Sequence, residues 1–292
     1  MYKNLLFFFL LILLTSCSSS YKEIKKIKIE KPNNFNEYLL NQYQKKAIFE
    51  AEEMHDWNSA KLYSEKALRS INGEIIYPEN INYWKIPENK ISKIIKAYDN
   101  LMAIYFQAIK IDPYNLAIAV SSLDCWAEQQ EENWQTWDII RCRDDYLESI
   151  HLIYNKISNN QLENIKKNES ENKTTIFSKN TNREKIQIIY FDFDDFNLSD
   201  VSINQIKRYL NKYNNKTNKF LIIGHTDSKG SNEYNKILSL KRAETVKKIL
   251  IGLGVSKSNI SILGKGEELL SIKTKDEVSH PANRRAVIYQ AN

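Results

Sequence analysis

Two side chains near the C-terminus carry opposite charges in places where a charge needs a reason. Asp227 lies in the turn GHTDSKG (224–230). Arg242 lies in the following stretch, SNEYNKILSLKRAETVKKIL (231–250), where Leu238, Val246, Ile249 and Leu250 share one face at helical spacing. Arg242 falls on that face, one turn after Leu238 and one turn before Val246. A guanidinium in an apolar stripe requires an anion or several acceptors, because a buried unpaired charge is very costly. Two readings are open. The pair forms an ion bridge that fastens turn to helix, or both charges stand apart in a cleft and wait for their opposites on a ligand. A ligand with an ammonium and a carboxylate on one carbon would satisfy both, the planar guanidinium taking the carboxylate and Asp227 the ammonium.

The elements that must position these groups alternate between strand and helix. KIQIIYFDF (185–193) is strand-like, with isoleucine and aromatic residues between charges. Ser199 or Asp200 caps a helix whose face is Ile203, Ile206, Leu210 and Tyr213. KFLIIGH (219–225) is a short, continuous apolar strand suited to the centre of a sheet. Ser231 caps the long helix, with Glu233 in its first turn. The strands NISILG (259–264) and RRAVIY (284–289) follow. The expected fold is α+β, a sandwich of helices over one sheet. Thr226 and Asp227 then lie at the C-terminal end of a central strand, a common place for ligand groups.

These residues resemble the outer-membrane protein A-like peptidoglycan-binding domain, a family that includes the peptidoglycan-associated lipoproteins and flagellar stator B proteins. The resemblance runs from about Ile186 to Tyr289. It is carried by Phe191-Asp192-Phe193-Asp194, Gly224-His225-Thr226-Asp227 with Gly230, Asn235, Leu238-Ser239, Arg242-Ala243, Val246, Gly264, Gly266-Glu267 and Asn283-Arg284-Arg285. It implies a βαβαβ(α)β sandwich and a ligand of the kind reached above on charge grounds, the diaminopimelate of the peptidoglycan stem peptide. On that reading Asp227 takes the ammonium and Arg242 the carboxylate. Thr226, Asn235 and Arg284 match positions near the groove, and Asp192 or Asp194 lines it or caps a strand end. The loop after Glu267 lacks the family's proline-rich text. His225 packs at the strand end in the family, so the resemblance gives it no acid–base role.

The N-terminus begins MYKN, followed by the apolar run LLFFFLLILL (5–14), which has the length of a secretory core and falls short of the roughly 20 residues a spanning helix needs. Leu14-Thr15-Ser16-Cys17 resembles the lipobox cut by lipoprotein signal peptidase. This implies diacylglycerol and an N-acyl chain on Cys17, and several chains together anchor durably. Ser18 after Cys17 points to the outer membrane, facing the periplasm. Export leaves Cys125 and Cys142 as an even pair in an oxidising compartment and therefore a disulfide candidate, with two small buried thiols as the alternative. No second Cys or His stands at zinc-ligand spacing near them.

The expected organisation is a signal peptide (1–16), a lipid-anchored tether (17–36), an all-α domain (37–157), a polar linker (158–184) and the wall-binding domain (185–292). Within the α domain, Ala60 and Ala67, and Tyr105, Ala108 and Pro113, resemble pieces of tetratricopeptide hairpins without a regular 34-residue period. IYPENINYWKIPENK (76–90) reads as the loop between hairpins. Lysines and acids alternate along the chain, so the net charge of +6 forms no basic block, and no nucleic-acid motif is present. His55, in EEMHDW, lacks the second histidine of a zinc protease motif. With no nucleophile elbow, phosphate loop or cofactor fingerprint, the reading is a binding protein that needs no cofactor. It would hold outer-membrane lipid through Cys17 and diaminopimelate-type peptidoglycan through its C-terminal domain. The alternative is a scaffold whose helical domain recruits a periplasmic protein, with the wall-binding domain serving localisation.

Overall fold

The structure, a computed structural model, describes residues 19–169, 186–213 and 218–291. The signal peptide, Cys17 and residues 170–184 of the expected linker lie outside the described residues. The chain divides into two units, Met1–Ile150 and His151–Asn292.

The first unit is helical: α1 Ser19–Ile24, α2 Phe35–Phe49, a π-helical turn Glu50–Met54, α3 Trp57–Ile71, α4 Glu88–Ile111, α5 Pro113–Glu132 and the start of α6 Thr136–Glu169. Asn34 caps α2 by accepting from the Glu37 amide at 3.1 Å, and Glu37 reaches back to the Asn33 amide at 2.8 Å. Asp112 caps α5 and Pro113 opens it, a position where the missing N–H costs nothing. Leu39, Leu40, Tyr43, Ala47, Ala60, Tyr63, Ala67, Tyr105 and Ala108 are buried, so the repeat-like positions are core positions. The Tyr43 and Tyr63 rings stack at 5.9 Å. Lys66, also buried, is held by Asp124 at 2.7 Å and Glu79 at 2.9 Å. Asp124 takes the Tyr43 hydroxyl at 2.6 Å as well. Residues 72–87 form the expected loop around a 3₁₀ turn, Ile81–Tyr83, and it buries Ile76, Ile81, Trp84 and Ile86. Cys125 on α5 and Cys142 on α6 are disulfide-bonded, with Cα atoms 5.7 Å apart.

Two expectations change. The segment 17–36 was expected to be a tether, yet its described part begins with α1 and is docked. Tyr21 and Ile24 are buried, Tyr21 meets Trp57 edge-to-face at 5.7 Å, and Gln44 donates to the carbonyls of Ile24 and Ile27 at 2.5 and 2.8 Å. The second change concerns residues 158–169, which were expected to be linker: α6 continues through them to Glu169. From His151 onward its residues group with the second unit, where the Tyr154 ring meets Tyr190 at 5.1 Å and Asn155 accepts from the Tyr190 hydroxyl at 2.9 Å.

In the second unit, β1 Ile186–Tyr190, α7 Asp200–Tyr213, β2 Lys219–Gly224, α8 Asn232–Gly252, β3 Ile260–Gly264 and β4 Arg285–Ala291 form a four-stranded sheet of order β1-β4-β2-β3. β4 is antiparallel to β1 and β2, and β2 is parallel to β3. A 3₁₀ turn, Pro281–Asn283, stands in the place of the optional last helix. The fold is thus the expected α+β arrangement, with β2 in the interior of the sheet. One face carries Ile189, Phe220, Ile222, Ile260, Ala286 and Ile288 against Ile206, Tyr209 and Leu210 of α7 and Ala243, Val246 and Leu250 of α8. β2 is apolar after Lys219, yet it alternates in burial, and Leu221 is 37% exposed. Ser199 supplies the α7 cap, accepting from the Ser202 amide at 3.2 Å.

Candidate functional site

The site is built where α8 crosses the ends of β2 and β3. The helix comes so close that a Cβ on Gly224 would lie 1.9 Å from the Ser239 carbonyl oxygen, and one on Gly264 would lie 2.8 Å from the Leu240 amide. Only glycine fits either strand end. Beyond Gly224 the turn is pinned by its backbone: the His225 amide donates to Arg285 O at 2.8 Å and the Thr226 amide to Gly266 O at 2.9 Å. Gly230, at φ 96°, lets the chain reverse into the Ser231 cap, which accepts from the Tyr234 amide. Asn235 donates to the Glu267 carboxylate at 2.6 Å, and Ser239 Oγ receives the Gly266 amide at 2.8 Å. These contacts lock the loop after β3 onto α8.

Arg242 projects from α8 into this frame and is 0% exposed. Its partners are main-chain acceptors: Nε donates to Asp195 O at 2.8 Å, Nη1 to His225 O at 2.8 Å and Nη2 to Asp192 O at 3.0 Å. The Phe191 ring lies 5.3 Å from its guanidinium carbon. Burial, and then the nearby Arg284, push this guanidinium down to about 9. A guanidinium has five N–H groups, so two remain, one on each terminal nitrogen.

Asp227 bonds elsewhere. Its Oδ2 accepts from Arg284 Nη1 at 3.1 Å and from Ser279 Oγ at 2.6 Å, and Arg284 Nη1 also reaches Ser279 Oγ at 3.0 Å. The direct Asp227–Arg242 bridge considered from the sequence is not formed; the ion-pair partner of Asp227 is Arg284. The reason is register. Arg284 leads into β4, between β1 and β2, and its backbone is fixed by the Phe191 amide donating to Arg284 O at 2.9 Å. Arg242 is meanwhile occupied by the carbonyls of 192, 195 and 225. Asp227 Oδ1 accepts no hydrogen bond among the described residues. Thr226 Oγ1 is shut off from solvent with no partner, and so is His225 Nδ1. Burial pushes His225 down to about 3, so its ring is neutral.

Of the other expected groove residues, Asn235 and Arg284 are buried in the site, whereas Asp192 and Asp194 are exposed. Asp192 contributes its carbonyl to Arg242. Asp194, in the left-handed region at φ 53°, accepts from the Tyr234 hydroxyl. Sequence reasoning missed Ser279, Asp195 and Tyr234. Ser279 sits in a loop with no periodic pattern, and Asp195 acts through its backbone, which no side-chain pattern reveals.

The OmpA family profile matches residues 190–284, which contain this frame. Over 109 residues the chain is 38% identical to the peptidoglycan-associated lipoprotein of Legionella pneumophila, covering 36% of this chain and 61% of the relative's length. Over 146 residues it is 32% identical to the peptidoglycan-associated lipoprotein of Buchnera aphidicola subsp. Baizongia pistaciae, covering 46% and 83%. Among solved structures, the peptidoglycan-associated lipoprotein from Burkholderia pseudomallei aligns at 34% identity and TM-score 0.31, over 36% of this chain and 89% of its own. Through its C-terminal unit this chain belongs to the OmpA family, with relatives named peptidoglycan-associated lipoprotein.

Proposed function

We propose that this chain binds peptidoglycan non-covalently through the groove at the 224–230 turn, as a binding protein and not an enzyme. The observation that carries this is a convergence of one carboxylate and two buried guanidinium groups around unpaired acceptors, Asp227 Oδ1 and Thr226 Oγ1. The names of the relatives support the polymer, and the charge pattern supports the diaminopimelate side group. Asp227 would hold its ammonium through Oδ1, and the two spare N–H groups of Arg242 its carboxylate. Arg284 orients Asp227, and Asn235 holds the rim at Glu267. Because Arg242 is fully buried, its carboxylate contact requires the 192–195 segment to move aside on binding. With an acylated Cys17, binding would tether the outer membrane to the wall from the periplasmic side.

Sedimentation of the full chain with diaminopimelate-type sacculi tests this. Wild type is expected in the pellet, with Asp227→Asn and Arg242→Lys left in the supernatant while retaining their far-UV spectrum. Wild type remaining in the supernatant would sink the proposal. A second reading, recruitment of a periplasmic protein by the helical unit, is favoured by the exposed indoles Trp57, Trp134 and Trp137, at 48%, 67% and 56% exposure. It requires wall binding to persist when Trp134 and Trp137 are replaced by alanine.

A further inference from the structure

Outside the wall-binding site, the most unusual grouping of charges lies in the first unit. At the end of α2 the helix widens into the π-turn Glu50–Met54, and the Asp56 amide returns to donate to Glu50 O at 2.9 Å. His55, at φ 59°, makes that return possible. The closure brings the carboxylate of Asp56 beside that of Glu50, six residues earlier. Glu128 of α5 completes the group: one oxygen from each of the three lies within 4.8 Å of the others.

The hydrogen bonding leaves this group unfinished. Asp56 Oδ1 caps α3 through the Asn58 and Ser59 amides, at 2.8 and 3.2 Å. Glu128 Oε2 accepts from the Tyr63 hydroxyl and from Gln129 Nε2, both at 3.1 Å. Glu50 Oε2 and Glu128 Oε1 are closed to solvent and have no partner, in residues only 2% and 3% exposed. Among the described residues, no lysine or arginine forms an ion pair with any of the three. Of the cations nearby, Arg141 is taken by Asp138 at 2.5 Å, and Lys46 of α2 feels the charge of Glu128 without forming an ion pair with it. Buried carboxylates without hydrogen bonds or counter-ions are costly, and proteins resolve the cost by pairing them or by coordinating a metal.

We propose that Glu50, Asp56 and Glu128 bind a divalent cation with hard, oxygen-seeking chemistry, Ca²⁺ above others. The donors are all oxygens, with neither thiolate nor imidazole among the three, which disfavours zinc. Two oxygens on opposite sides of Ca²⁺ stand about 4.8 Å apart, twice a bond of roughly 2.4 Å. The three carboxylates therefore fit around one ion with little movement. Glu50 opens the π-turn, Asp56 caps α3 just beyond it and Glu128 comes from α5, so the ion would fasten the α2–α3 junction to the helix carrying Cys125.

The test uses the full chain in detergent, stripped with EDTA and titrated calorimetrically with CaCl₂ alone, with MgCl₂ and MnCl₂ in parallel. One Ca²⁺ per chain and a rise in thermal midpoint are expected. Glu128→Gln and Asp56→Asn should each weaken the binding by at least about tenfold. Asparagine keeps the helix cap, so that variant is expected to fold. Glu52→Gln, on the exposed side of the same turn, should bind as wild type does. Absence of a binding heat in wild type overturns the site, because the carboxylates are then satisfied by protons. Undiminished binding in both Glu128→Gln and Asp56→Asn overturns it equally.

Discussion

Arg242 shows how a charged residue earns a place in an apolar stripe: it ties three carbonyls from two loops to one helix. Arg242→Ala leaves those acceptors unsatisfied in a buried site, at a cost of about 1–3 kcal/mol each before relaxation. Urea unfolding of Arg242→Ala should therefore show a loss of at least about 2 kcal/mol in the second unit, and Arg242→Lys a smaller one. Three histidines of the same unit are also held neutral by burial. His151 is pushed down to about 4, His225 to about 3 by burial together with Arg285 and Lys265, and His280 to about 4 by burial and Arg284. A folded-state value below the unfolded one, roughly 6.5, means the unfolded chain binds more protons as pH falls. Their contribution is fully present above about pH 6.5 and drains away through the folded values. The urea midpoint should fall between pH 7 and pH 5, and a midpoint that stays flat would contradict the buried, neutral state. At this scale the sequence exposed Asp227, Arg242 and Arg284 as residues, but their pairing depends on strand register, which residue types do not encode.

At the scale of elements, α8 and β2 were the most legible. Ser231, the apolar face through Leu238, Val246 and Leu250, and the glycines at 224 and 264 all point to the same close crossing. α6 was the least legible. Its Asn, Lys and Glu content after Ile157 resembles linker, and its docking rests on a few contacts, such as Tyr154 and Asn155 on Tyr190 and Ser158 on Ser271 at 2.7 Å. α1 was missed similarly, since only Tyr21 and Ile24 of its six residues are large and apolar. The disulfide between α5 and α6 was readable from the even cysteine pair and the oxidising compartment expected for it, and it closes a separation of 17 residues. By loop-closure entropy such a bridge stabilises by about 3 kcal/mol. Cys125→Ser with Cys142→Ser should lower the unfolding midpoint of the first unit by roughly that energy, whereas reductant should leave the double variant unchanged.

For the whole molecule, the two-unit plan followed from a change in pattern, from helical spacing before about residue 157 to alternating strand and helix after 185. The line between the units falls earlier than composition suggested, at 150/151, because α6 serves on both sides of it. No described helix is long and apolar enough to cross a membrane. The strand order also governs timing. β4 occupies the interior of the sheet, between β1 and β2, although it is the last strand in the chain. As synthesis proceeds, β1 has no hydrogen-bonding neighbour until Arg285 arrives opposite Tyr190, and β2 has β3 on one side only. Nearly the whole second unit must therefore emerge before its sheet can close. A chain that cannot complete its sheet early remains threadable, which would suit the export proposed for it and would defer assembly of the frame around Asp227 and Arg242 until the final strand slots in.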